Sequence, residues 1–155
     1  MADAPDFAAL NMLLVEPVTL LRRTVSLTAR SMGVARVHEA ASNALAMRLL
    51  KGQAFDGAVI AIDETSVQGE LHAMSLLDEV RAGGTASQAG IPIAVMLERC
   101  DSAMLTALQQ RGVTRILLKP FRARNLLDTF SHFAAVAVAP PGPGGPRPLF
   151  GVAPG

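Results

Sequence analysis

The chain has 155 residues, half of them apolar and 17% charged, which is enough for one domain with a sizeable core and a tail. Trp and Tyr are absent and Phe is sparse, so that core must be aliphatic. A formal net charge of +1 and a single cysteine, Cys100, argue against a broad nucleic-acid footprint, an internal disulfide and a cysteine-based metal cluster.

The opening stretch "MADAPDFAAL" carries Asp3 and Asp6 and lacks the basic and apolar parts of a signal peptide. No apolar run approaches the ~18 residues that span a bilayer. The expectation is a soluble cytoplasmic protein. Residues 1–10 read as a lead-in, and the first strand is "MLLV" (12–15), ending at Glu16-Pro17. Leu21, Val25, Ala29 and Met32 then recur on one face of a helix that stops at Gly33. "VARVH" (34–38) reads as an edge strand, followed by a second helix with Ala41, Ala44, Leu45 and Leu49 inward and Gly52 past its end. "DGAVIAI" (56–62) is continuously apolar, as a central parallel strand covered on both faces must be.

After the loop "DETSVQG", residues 70–82 suit a third helix, with Leu71, Met74, Leu77 and Val80 inward. "GGTASQAG" (83–90) reads as a flexible connection, "IPIAVML" (91–97) as a fourth strand and 101–112 as a fourth helix. "RILL" (115–118) is a fifth strand. The fifth helix covers 121–137, with Leu126, Leu127, Phe130 and Phe133 available for burial. Five strands alternating with five helices imply a parallel α/β sheet with helices on both faces and function at the carboxyl ends of the strands. The domain is read as 11–137. Residues 138–155 are Pro/Gly-rich and are expected to be disordered, with PxxP spacings and an apolar island at Leu149-Phe150 as the only docking features.

"MLLVEP", "FDGAVIAI" with Gly69, "IPIAVML" and above all "GVTRILLKPF" (112–121) resemble the receiver domain of bacterial two-component response regulators, over residues 11–132. The resemblance implies a flavodoxin-like (βα)5 fold with strand order 2-1-3-4-5. It also implies a phosphorylation chemistry: an aspartate ending the third strand, an acidic pair after the first strand holding Mg²⁺, a hydroxyl after the fourth strand and a Lys after the fifth. Here Glu16 matches the first member of the acidic pair and Pro17 replaces the second. Asp56 and Gly69 set the register of the third strand and put Ala61 on the phosphoacceptor position. Leu97, followed by Glu98, replaces the hydroxyl, and Ile116 replaces the aromatic switch residue. Lys119, Pro120 and Phe121 match, and a cis peptide before Pro120 is implied.

A degenerate pocket of Glu16, Pro17, Ala61, Asp63, Leu97 and Lys119 therefore marks a pseudo-receiver, in which Glu16 and Lys119 are expected to pair. The expected function is binding and not catalysis, with no cofactor. Partners would be a histidine kinase, another receiver or a regulated target, without nucleic acid or membrane. Strand alternation puts Ile116 and Leu118 on one face. The resemblance makes that face, between the fourth and fifth helices, a dimer or partner surface. Arg111, Arg115, Phe121, Arg122 and Arg124 would surround it, apolar at the centre and rimmed by arginines. Arg22, Arg23 and Arg30 form a second basic candidate on the first helix.

Two other readings stay open. Asp63 lies ~6.6 Å beyond Ala61 along an extended chain and is a relocated acceptor if the strand continues, with Glu16 and Asp63 as weak Mg²⁺ candidates. Alternatively, the fold binds a small ligand at its strand ends, as a flavodoxin-like protein or enzyme. His38, His72 and His132 fall on separate elements and form no catalytic group. Cys100 sits near a helix start, a place that can lower a thiol's pKa, though a lone Cys there is usually incidental.

Overall fold

The structure, a computed structural model, describes residues 7–62, 72–138 and 151–153. A 3-10 turn at Phe7–Ala9 leads into β1 (Asn11–Val15), α1 (Thr19–Ser31), β2 (Arg36–Ala40), α2 (Asn43–Gly52) and β3 (Gly57–Ala61). Then follow α3 (Ala73–Arg81), β4 (Ile93–Leu97), α4 (Ser102–Gln110), β5 (Arg115–Leu118), α5 (Ala123–Val138) and β6 (Gly151–Ala153). The sheet is parallel throughout, in the order β2-β1-β3-β4-β5-β6. Its first five strands follow the expected 2-1-3-4-5 order of the flavodoxin-like (βα)5 fold.

Period-two alternation divides the core into two layers. Leu13, Val15, Ala58, Ile60, Val95 and Ile116 face Leu50, Leu76, Leu77, Val80 and Leu108 from α2, α3 and α4. Met12, Leu14, Val59, Ala94, Met96 and Leu117 face Val25 and Ala29 of α1 and Leu126, Phe130 and Phe133 of α5. Every residue of β3 and β4 is buried. Both faces of these strands being covered is why they read as unbroken apolar runs.

Local chemistry fixes the ends. Ser42 and Asp101 accept the N–H groups of Leu45 and Met104 and cap α2 and α4. Gly33 ends α1 at φ +106°, a conformation that a side chain would oppose. At Gly57 a Cβ would lie 2.6 Å from the Phe133 ring, so the glycine is what lets α5 settle on β3.

Several expectations need correcting. On α2 the buried residues are Ala46 and Leu50, while Ala41, Ala44 and Leu45 are exposed. The inward face is turned from the expected one, and Ala41 precedes the Ser42 cap and so lies outside the helix. Leu127 of α5 is 42% exposed, while Leu126 beside it is buried. Strand β2 covers Arg36–Ala40 instead of 34–38. The lead-in also joins the core, since Phe7 and Leu10 pack in the α1/α5 layer.

The connection 83–90 is tied down rather than loose. The guanidinium of Arg81 donates to the carbonyls of Ala89, Ile91, Arg111 and Gly112, and Ser87 Oγ accepts the N–H of Phe55. Burial pulls the Arg81 pKa below its ordinary value. Beyond α5, where no element was expected, Gly151–Ala153 forms β6, with Arg115 opposite Gly151, Ile116 opposite Val152 and Leu117 opposite Ala153. Backbone pairing on an open sheet edge stabilises a segment that side-chain burial alone would leave unordered.

Candidate functional site

Glu16 leaves β1 at the carboxyl end of the sheet and is 1% exposed. Its Oε1 accepts a hydrogen bond from Lys119 Nζ at 2.7 Å, and its Oε2 accepts the Val18 N–H at 3.2 Å. The Glu16 carbonyl takes Arg22 Nη1 at 2.9 Å, and Arg22 Nε lies 3.4 Å from Glu39. Lys119 is held in turn by its own N–H, which donates to the Leu97 carbonyl at 2.9 Å, and it precedes a cis peptide to Pro120. The expected Glu16–Lys119 pair is therefore present, and it joins the carboxyl ends of β1 and β5.

The other expected positions that the structure describes are apolar. Ala61 ends β3 opposite Met96 of β4 and is 5% exposed, packed in the α1/α5 layer. Leu97 is buried in the other layer, and Pro17 is exposed. Asp63 lies outside the described residues. A Mg²⁺ ion does not fit what is described. The Glu16 carboxylate is already taken by Lys119 and Val18, Pro17 and Ala61 offer no side-chain oxygen, and no three His, Cys, Asp or Glu side chains converge among the described residues.

The arginine-rimmed face fares less well. Ile116 is fully buried and cannot be an exposed apolar centre. Leu118 is half-buried against the α2/α3/α4 layer. Arg111 is paired with Asp78 at 2.7 Å, and Arg115 runs beside β6. Arg122 and Arg124 remain exposed, and Phe121 is half-buried in the opposite core layer. Alternation correctly separated Ile116 from Leu117. What it could not show is that α4 covers Ile116 and that β6 occupies the edge.

A feature missed in the sequence lies on the other side of α5. A groove of about 630 Å³ runs between α1 and α5, walled by Leu21, Thr24, Val25, Phe121 and Leu126 and ending at Lys119 and Glu98. Leu20 (78% exposed), Leu27 (66%) and Leu127 (42%) stand in the open on the same two helices. Leu20 and Leu27 stand four residues before and three after Thr24, and Leu127 stands four after Ala123, so each shares a helix face with a groove residue. The spacing of Leu20 and Leu27, off the Leu21/Val25 stripe, was the available signal. Large apolar side chains clustered in the open mark contact surfaces.

Besides Arg81, two titratable groups depart from their ordinary values. Burial, and then the neighbouring Asp101 charge, push the Cys100 thiol up, the opposite of what a helix start can do to a thiol. Burial, and then the Arg115 charge, pull His132 down, and its Nε2 is buried without a hydrogen-bond partner.

No protein-family model matches the sequence, and no curated protein matches it. Solved structures do. The chemotaxis protein CheY4 of Vibrio cholerae is 21% identical, with a TM-score of 0.69 over 80% of this chain and 98% of that one. The receiver domain of the sensor histidine kinase PA1611 of Pseudomonas aeruginosa PAO1, solved with a magnesium ion in its active-site cleft, is 22% identical, with a TM-score of 0.68 over 81% and 98%. A CheY-like receiver domain protein of Methanospirillum hungatei JF-1 is 15% identical, with a TM-score of 0.71 over 83% and 97%. At these identities the likeness is one of fold, and the fold is that of receiver domains.

Proposed function

We propose that the chain is a receiver-like signal-transduction module of a two-component or phosphorelay pathway. On this reading it takes no phosphoryl group at position 61 and acts through contact with other proteins, without enzymatic activity of its own. The observation that carries this is the combination of a methyl group at the end of β3 with a Glu16–Lys119 ion pair at 2.7 Å, at positions the resemblance would give to metal and phosphoryl contacts. A methyl group cannot form an acyl phosphate. A lysine already neutralised by a buried carboxylate has no call for an anion.

Its partners would be a histidine kinase, another receiver or a regulated target. The groove between α1 and α5, with Leu20, Leu27 and Leu127 exposed on the same two helices and Arg23 and Arg30 exposed on α1, supports this surface over the one built on Ile116. Arg22, bound to Glu39 and to the Glu16 carbonyl, belongs to the fold.

The test is direct. Incubated with a small phosphodonor and Mg²⁺, the intact protein should show no gain in mass. A gain of one phosphoryl group that disappears in Asp63→Asn would replace this reading with an active receiver using Asp63.

A further inference from the structure

The two edges of the sheet are protected differently. Strand β2 (RVHEA) carries Arg36 and Glu39 exposed along the outer edge, the kind of charge that discourages strand addition. Strand β5 (RILL) has one charge and three consecutive apolar residues, so its outer backbone groups would invite pairing. That edge is covered, and what covers it is Gly151–Ala153, three small or apolar residues running parallel to β5 in defined register. The cover is brief, so little pairing holds it. The chain between it and α5, residues 139–150, is twelve residues long and reaches about 40 Å when extended. A connection of that length is long enough for the segment to reach the same edge on a neighbouring molecule.

We propose that the outer edge of β5 is a docking site for the C-terminal strand of this chain, and that copies of the chain exchange it: Gly151–Ala153 of one molecule pairs with β5 of another. The occupant is named by the structure, since the segment is seated there in register. Exchange of an identical element keeps every pairing the closed molecule makes, and a reciprocal exchange closes a symmetric dimer. The residues that make the edge receptive are those of β5 itself, with Arg115 opposite Gly151 at the point of entry. The proposal is independent of whether the strand-end pocket takes a phosphoryl group.

Paramagnetic labelling of the full chain tests it. Ala153→Cys in a Cys100→Ser background takes a nitroxide at the end of β6. When one molecule carries both nitroxide and ¹⁵N, the Arg115–Leu118 amide signals should be lost while those of β2 persist. When a nitroxide-labelled, unenriched chain is mixed with an unlabelled ¹⁵N chain, the same four signals should weaken, increasingly with protein concentration, and recover when the labelled chain also carries Val152→Pro. No loss in the doubly labelled molecule overturns the docking site. Loss there without any loss in the mixture overturns the exchange. Uniform weakening across the surface of the mixture, unaffected by Val152→Pro, shows chance collision and overturns it as well.

Discussion

The Glu16 carboxylate is almost wholly removed from water, whereas the Lys119 side chain is 20% exposed. The two members of the pair are therefore unequally dependent on each other. Lys119→Met should leave a buried anion with one backbone N–H and cost about 3–5 kcal/mol of stability. Glu16→Gln leaves a cation that can still reach solvent along its stem and should cost about 1–3 kcal/mol. The double variant should recover much of the loss, and a double-mutant cycle by urea denaturation measures the coupling. His132 supplies the pH dependence. Its folded pKa lies below the ordinary 6.5, so the folded state prefers the neutral ring. That contribution is fully present above 6.5 and fades as pH falls below it through the folded pKa, because the unfolded chain then binds more protons. Urea midpoints should fall between neutral pH and pH ~5.5, and His132→Gln should flatten the slope.

At the scale of elements, α2 shows what periodicity can and cannot resolve. Its existence and its end near Gly52 were legible, while its Ser42 cap came only with the structure. Its inward face was not, because Leu45, Leu49 and Leu50 all fit some stripe and only the position of β2 decides among them. Leu50→Ala should cost about 2–5 kcal/mol, as burial in a packed core requires, and Leu45→Ala less than about 0.5 kcal/mol. Chemical denaturation of the two variants separates the faces. The same ambiguity hid the groove: Leu20, Leu27 and Leu127 look like core candidates in a sequence, and they become informative only once α1 and α5 are seen to leave them in the open. That β3 ends at Ala61 was legible for the opposite reason: the resemblance counts from Asp56 along the chain, and counting residues needs no packing information.

For the molecule as a whole, the five-fold alternation of strand and helix carried the architecture, since right-handed crossovers leave few ways to build a parallel sheet from it. The sixth strand was not legible, because a Gly-Val-Ala segment has no pattern of its own and borrows its order from the edge of β5. Nor was the role of Arg81 visible. A single arginine in the last turn of α3 looks like a solvated helix end, yet its donors bind four carbonyls on either side of β4. Arg81→Met should therefore loosen two distant stretches together. Hydrogen exchange at Ala89–Ile91 and at Arg111–Val113 should accelerate in parallel, while β1 and β3 amides stay protected.

The Lys119–Glu16 contact also has a kinetic meaning, because its two residues are 103 positions apart. Bringing them together closes a span of two-thirds of the chain, and the entropy of so long a closure must be met before the contact repays it, which sets the contact late in folding. The pair then acts as a clasp fastened last. Disrupting it should leave the refolding rate almost unchanged and hasten unfolding, so that the whole penalty is seen in the unfolding limb of a stopped-flow chevron.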